Sequence, residues 1–240
     1  KSKYVNDITV CCIYVNTTKF NDPKDLEKYP RPIVKDIEFL LTAECDILYL
    51  PSTIDIYPNG INQLKKFDLG FLENFLEGAS RPGHFNGVAN VVERLLRIVN
   101  PLRLYLGQKD FQQVKVVEKM LSTTDLKSQI IMCPIVREQD GLAMSSRNER
   151  LTVSQIRNAA GISDQLFFIQ KNRKNFTVAQ LKDMATTKIN SLTETKVDYL
   201  DFCDAASFQL INDWNDAKQV VCVTAVIACD VRLLDNILIS

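Results

Sequence analysis

Two short clusters of anion-seeking donors stand out in the 240-residue chain. The first is GQKD, residues 107–110, placed between the strand-like run LRLYL and a helical pattern. Gly107 lets a ligand approach the backbone, the amides of a helix N-terminus favour an anion, and Lys109 adds a point positive charge. Gln108 lies between them, and Asp110 suits either a helix N-cap or acceptance of a ribose hydroxyl. The second cluster is MSSR, in which Met144 precedes two hydroxyls, Ser145 and Ser146, and the guanidinium of Arg147. A helix start needs one cap; two hydroxyls and an arginine exceed that need, and arginine binds phosphate in bidentate fashion. Two such clusters facing one cleft would suit a triphosphate and the charge that develops in its transfer. Gln112 and Gln113 follow GQKD, and one of two adjacent amides should point back toward the strand end. There it can donate and accept at once, as recognition of a hydroxy acid requires. The same local residues are also satisfied by a turn, a capped helix and a solvent-exposed lysine. His84, within RPGHF, is the only histidine. A lone imidazole in a Pro-Gly loop reads as a structural hydrogen-bonder, and these residues cannot build a multi-histidine metal site.

These donors need a frame, and apolar periodicity predicts one. ITVCCIYV (8–15) and DILYLP (46–51) suit buried parallel strands. Between them, PIVKDIEFLLTAEC predicts a helix with Pro32 as its first residue and Ile33, Ile37, Leu40 and Leu41 on one face. IYPNG (56–60) marks a loop, FLENFLEG ends at Gly78, and SRPGHF is irregular. The next helix carries Val88, Val91, Val92, Leu95, Leu96 and Val99 as a continuous stripe, with Glu93, Arg94 and Arg97 off it. LRLYL (102–106) is a third strand, a helix begins near Asp110, and QIIMCPIV (129–136) is a fourth strand. Strands alternating with helices argue for a parallel α/β sheet. After about residue 136, helical segments at 153–171 and 177–193 precede VDYLDF, VVCVTAVIAC and VRLLDNILI, a smaller α+β domain. The expected division is therefore 1–135 and 136–240, with GQKD and MSSR flanking the junction, a preferred place for a cleft.

Bulk composition narrows the function classes. Hydrophobic residues make up 46% and charged residues 24%, an ordinary globular balance. The 29 basic and 29 acidic side chains cancel, so no general field attracts nucleic acid and any anion binding must be local. The longest largely apolar run, Val220–Cys229, falls far short of the ~20 residues needed to cross a bilayer. No membrane association and no signal peptide are expected. Seven scattered cysteines without a CxxC read as reduced, mostly buried thiols of a cytoplasmic protein.

FNDPKDLEKYPR, IYPNG, LEGASRPGHFNGV, LYLGQKDFQQ and PIVREQDGLAMSSRNERL, in this order and spacing, resemble the pantothenate synthetase (pantoate–β-alanine ligase) family, over nearly all 240 residues. The resemblance implies a Rossmann-like fold of the nucleotidyltransferase (HIGH-motif) superfamily, a smaller C-terminal domain and a homodimer. It implies ATP as a substrate, with Mg²⁺, joined to pantoate as pantoyl adenylate with release of pyrophosphate. The amine of β-alanine then expels AMP. By the same resemblance Gly107, Gln108, Lys109 and Asp110 bind ATP, with Lys109 stabilising the phosphates. Val136 and Met144 line the adenine pocket, and Ser145, Ser146 and Arg147 hold the phosphates as a relative of the synthetase KMSKS loop. Gln113 and Asn16 match pantoate-binding positions, and Asp36 matches a position that helps with Mg²⁺.

Two departures from the family pattern stand out. The family's PTMGxLHxGH segment, with two phosphate-stabilising histidines, is not among these 240 residues, and His84 belongs to a different motif. Residues 1–240 alone are therefore expected to adenylate little or not at all. The resemblance leaves room for a non-catalytic ligand-binding or dimerising homologue, or a related nucleotidyltransferase acting on another acid. The second departure is VNTTKF in place of VNPxQF, which puts Thr17 where the family has proline and Lys19 where it has a second pantoate-binding glutamine. Lysine pairs with a carboxylate but cannot accept a hydrogen bond from a hydroxyl. The altered site predicts weakened pantoate recognition, restored about 2- to 10-fold in KM by Lys19→Gln, the worth of one neutral hydrogen bond. An ordinary pantoate KM that Lys19→Gln leaves unchanged would refute it.

Overall fold

In the computed structural model the described residues are 2–16, 27, 32–61 and 64–239. They divide into two compact units, 1–106 with 113–132, and 107–112 with 133–240.

In the first unit, strand β1 (Val10–Cys12) pairs in parallel with β2 (Ile47–Tyr49), Cys11 opposite Leu48. The helix between them, α1 (Ile33–Thr42), supplies the crossover that a parallel pair requires. β3 (Arg103–Gly107) and β4 (Gln129–Cys133) form a second two-stranded sheet. All four strands occur where expected; β1, β2 and β4 are shorter, and β3 is shifted by one residue. The strand expected over 8–15 pairs only at three residues, and β4 stops before Pro134, whose nitrogen has no hydrogen to donate to a ladder. Pro32 is the N-cap of α1 rather than its first helical residue. The expected apolar stripe of α1 is only partly covered: Ile37 and Leu40 are half-buried, while Ile33 and Leu41 are exposed.

The longest helix of this unit, α2 (His84–Val99), starts directly after Gly83, whose φ of 77° a β-carbon would disfavour. Val91 packs with Ile56 and Tyr57, and Val92 and Leu95 lie against this cluster. Gly78, expected to end a helix, sits inside the single turn Glu77–Ser80. Close packing, not termination, requires glycine there, because an added Cβ would lie 2.2 Å from the carbonyl oxygen of Leu72. The polar face of α2 also departs from expectation. Glu93 is 2% exposed, and its Oε1 accepts from Lys65 Nζ and Arg97 Nε, each at 2.6 Å. Beside it, Asn90 receives the Lys65 backbone N–H at 2.9 Å and returns a bond to the Lys65 carbonyl at 2.8 Å. A stripe argument misses this, because the loop at 64–67 covers the polar face and carries its own unpaired backbone groups there.

The second unit is an antiparallel sheet, β5 (Thr195–Asp204), β6 (Val220–Ala228) and β7 (Val231–Ile239), in that order. The helix α3 (Phe111–Ser122) begins in this unit, where Phe111 stacks on Phe208 at 5.8 Å. The segment expected as one helix over 153–171 is two, α4 (Val153–Ala159) and α5 (Gly161–Asn172). A Cβ on Gly161 would meet Leu192 at 2.8 Å, so the helix junction is packed tightly against that side chain. Thr152 caps α4 through a capping box with Gln155. Thr177 with Gln180 does the same for α6 (Val178–Asn190). Leu166 and Ile169 of α5, Leu181 and Ile189 of α6, and Leu200, Phe202 and Cys222 of the sheet share one core.

All seven cysteines are free thiols, as expected, but only Cys203 and Cys222 are buried. Strand residues at sheet margins such as Cys11 and Cys12 stay half-exposed, so the expectation of mostly buried thiols is corrected. No helix of the described residues is long and apolar enough to cross a membrane.

The buried carboxylate generates a pH prediction. Burial pushes Glu93 up, but the hydrogen bonds from Lys65 and Arg97 outweigh it, and its carboxyl titrates below the ordinary glutamate range. A depressed carboxylate contributes stability above its unfolded value and loses it as pH falls through the folded value. Glu93→Gln should therefore melt several degrees below wild type at neutral pH, with the gap closing in acid below the ordinary glutamate range. Thermal melts across that range check this; a gap independent of pH would sink it.

Candidate functional site

The residues with phosphate-binding chemistry gather in the second unit. GQKD forms the end of β3 and a 3-10 turn, Gln108–Asp110, leading into α3. Gly107 is exposed and extended, and an added Cβ would meet nothing within 4 Å. The space beside it is open, so packing within the protein does not itself demand glycine. Gln108 and Lys109 are half-buried and Asp110 is exposed. Of the two glutamines that follow, Gln112 is buried and Gln113 half-buried.

What holds this turn comes from β7. The Asn236 side chain donates through Nδ2 to the carbonyls of Gln108 and Lys109, both at 2.9 Å. Its Oδ1 accepts from Gln108 Nε2 at 3.0 Å. One amide thus uses both donors and its acceptor on three groups of Gln108 and Lys109. Asp235, next in the strand, binds Arg137 in bidentate geometry at 2.7 and 2.9 Å. Arg137 also donates to the Gly141 carbonyl at 3.1 Å and lies over the Phe167 ring, 5.1 Å from its centroid. Asp235 is 4% exposed. Burial pushes its carboxyl up from the ordinary range, against the opposing pull of Arg137 and, more weakly, Lys109.

Arg137 is in turn part of a hairpin. Arg137 and Ala143 bridge in antiparallel fashion, the Met144 N–H donates to the Val136 carbonyl at 2.9 Å, and Gly141 turns the chain with φ 94°. Val136 and Met144 are thereby brought side by side, and both apolar side chains are left exposed, by 66% and 48%. The chain continues directly into MSSR. Ser145 caps the 3-10 turn Ser146–Arg150, its Oγ accepting from the Arg147 N–H at 3.2 Å. The helix-start role of this cluster is thus taken by Ser145, which leaves the Ser146 side chain exposed and Arg147 half-buried. Asn148 is buried and its Nδ2 donates to the Ala143 carbonyl at 3.1 Å, closing the hairpin onto the turn.

The remaining expected residues fall in the first unit or outside the described residues. Asn16 is buried, its Nδ2 donating to the Gly87 carbonyl of α2 at 3.3 Å. Asp36 lies half-buried in the first turn of α1, and no group of three metal-ligating side chains occurs among the described residues. Thr17 and Lys19 lie outside the described residues. His84 is buried at the start of α2 with its Nε2 3.1 Å from Arg81 Nη1, in keeping with a structural role. Motif spacing alone does not single out Arg137, Asp235 or Asn236. One signal was present: Asp-Asn interrupts the otherwise apolar RLLDNILI, where a buried strand has no use for polar side chains unless they have partners.

Comparison with known proteins gives this geometry a context. The family model described as pantoate-beta-alanine ligase matches residues 1–238. Pantothenate synthetase of Azobacteroides pseudotrichonymphae is 42% identical over 233 residues, 97% of this chain and 82% of that protein. The Bacteroides thetaiotaomicron pantothenate synthetase is 39% identical, with 97% and 82% covered. Among solved structures, pantothenate synthetase from Thermus thermophilus superposes with a TM-score of 0.92 at 32% identity, covering 98% of this chain and 85% of that one. Pantoate-beta-alanine ligase from Francisella tularensis, complexed with beta-gamma ATP and beta-alanine, gives 0.78 at 35% identity, with 98% and 81% covered. These matches bear out the expected α/β nucleotidyltransferase-like fold. With a family model spanning nearly the whole chain and relatives at about 40% identity, the chain belongs to the pantoate–β-alanine ligase family of ATP-dependent enzymes.

Proposed function

We propose that the protein joins pantoate to β-alanine through a pantoyl-adenylate intermediate, in the cytoplasm and as a homodimer. A pantoate carboxylate oxygen attacks the α-phosphorus of ATP and pyrophosphate leaves. The β-alanine nitrogen then attacks the acyl carbon, forming the amide, losing a proton and expelling AMP. No enzyme nucleophile takes part, so the rate rests on positioning and on stabilising charge.

The site reading is supported by Gly107–Asp110, Val136 and Met144–Arg147 belonging to one compact unit, in which adjacent residues of β7 hold both Gln108–Lys109 and Arg137. The exposed pair Val136 and Met144 suits the face of a purine. Gly107, Gln108 and Asp110 take the ribose and the phosphate approach, and Lys109, Ser145, Ser146 and Arg147 neutralise phosphate charge. The Lys109 ammonium has no hydrogen-bond or ion-pair partner among the described residues, although its charge is felt by Asp235. Asn16, Lys19 and Gln113 are assigned to pantoate. Mg²⁺ keeps much of its water and binds through one or two carboxylates plus substrate phosphates. Asp36 is the carboxylate assigned to it, and that mode needs no all-protein cluster. The nucleotide and β-alanine named for the Francisella tularensis structure agree with two of the three proposed substrates.

In the full-length protein, Lys109→Ala should lower pantoate-dependent pyrophosphate release roughly 100-fold or more, as loss of a transition-state charge partner does elsewhere, with the melting temperature unchanged. Unchanged turnover would remove Lys109 from the mechanism. AMP formation that ignores pantoate but responds to another acid would assign the protein to a different nucleotidyltransferase reaction, and ATP binding without any turnover would favour a non-catalytic homologue.

A further inference from the structure

We propose that Asn236 of β7 is a positioning residue for the nucleotide, setting the backbone of Gln108–Asp110 and, through its neighbour Asp235, the hairpin that carries Val136 and Met144. The proposal rests on the reading of GQKD as an ATP-contacting segment.

A peptide bond is planar and trans, so its carbonyl and its N–H point in opposite directions. No cis peptide occurs among the described residues. Asn236 draws the carbonyls of Gln108 and Lys109 toward β7. The N–H groups of Lys109 and Asp110 must then face away from that strand, and the Lys109 side chain departs from a backbone that is held on both sides. The third bond, to the Gln108 amide, blocks rotation of the Asn236 side chain, so the clamp is specified in full. Asn236 is 2% exposed and its donors are spent on the loop, so it is a group acting through GQK rather than a ligand itself.

Asp235 extends the control. It is the adjacent residue of the same strand, and its carboxylate fixes Arg137, which sits between Val136 and the turn at Gly141. A further bond runs from Arg137 Nη2 to the Asn236 carbonyl at 3.4 Å. Consecutive residues of one strand therefore hold two loops, Gln108–Lys109 and Val136–Arg137, that the whole of α3 and β4 separates in sequence. Side chains of successive strand residues point to opposite faces in a regular ladder. Serving both loops from adjacent positions makes the Asp-Asn order specific, since exchanging the two would send each group toward the wrong partner.

The test compares Asn236→Ala, Asn236→Asp, Ile237→Ala and Lys109→Ala in the full-length protein. ATP affinity is measured by equilibrium dialysis with ATP, pantoate KM by turnover, and amide exchange of residues 108–111 by mass spectrometry. Asn236→Asp keeps the acceptor for Gln108 but removes both donors, so it should behave like Asn236→Ala. Both should bind ATP roughly 10- to 100-fold more weakly, the scale expected when a reactive group is misplaced by about 1 Å, with faster exchange at 108–111 and an unchanged pantoate KM. Ile237→Ala, a buried residue of the same strand, should lose thermal stability but keep ATP affinity. Wild-type ATP affinity in both Asn236 variants, or an equal loss in Ile237→Ala, overturns the proposal. Lys109→Ala separates the two levels. If it retains both full ATP affinity and full turnover, the underlying nucleotide reading falls; if it loses either and the Asn236 variants keep wild-type ATP affinity, only the positioning role falls.

Discussion

A carboxylate can sit in a protein interior beside a half-buried guanidinium only when it is nearly saturated with hydrogen bonds. Arg137 and Asp235 meet that condition through a bidentate pair, with the Gly141 carbonyl taking a further guanidinium proton and the Asn236 backbone N–H donating to the carboxylate at 2.7 Å. Removing Arg137 would leave the buried Asp235 carboxylate unpaired, a loss of roughly 3–5 kcal/mol in comparable pairs. That penalty ties the 136–144 hairpin to β7 more firmly than its few ladder bonds could. Asn236 repeats the logic with a neutral amide, whose polar atoms are all used on the turn before α3. The chemistry-bearing loops of the second unit thus hang from one strand of its sheet, and the sheet is rigid because β6 lies between two full-length antiparallel partners.

The first unit solves a similar problem with different groups. Its loop at 64–67 brings backbone donors and acceptors against α2, and Asn86 and Asn90 satisfy them with both ends of their amides. Glu93 adds charge, gathering Lys65 and Arg97, and Arg97 continues outward to Asp125 at 2.7 Å. Asn, Asn and Glu recur at helical spacing along one face, so a single polar edge of α2 serves as the anchor of a loop. Exposed surface ion pairs contribute little on their own. Glu93 differs because its carboxylate is buried, so water cannot replace Lys65 and Arg97 if they are lost.

The elements were legible to the extent that they are local. The stripe at 88–99 and the turn at Pro58–Gly60 each depend on residues within a few positions of one another. Strand lengths were less legible, because pairing depends on what the neighbour offers; β1 stops at Cys12 although apolar residues continue to Val15. Gly78 illustrates the same gap. A glycine at the end of a helical pattern normally reads as a C-cap, but here the Leu72 carbonyl from the preceding turn occupies the space of a side chain. MSSR joins the two cases: its capping role at Ser145 is local, while the company it keeps with GQKD in one unit is not.

By itself the sequence determined the class of chemistry and the family. Donor clusters, their order, a balanced charge and helical periodicity are all properties of residue type and short spacing, and five linked motifs are enough to identify relatives. Only the tertiary structure decided which polar residues hold those motifs in place. Asn236 and Gln108 are 128 positions apart, as Arg137 and Asp235 are 98 apart, and no local pattern encodes such pairs. They follow from strand register and packing, which bring a strand's Asp-Asn step to one particular turn and one particular hairpin. The physical reason is that buried polar groups must find partners wherever the fold places them, and only the complete fold defines that place.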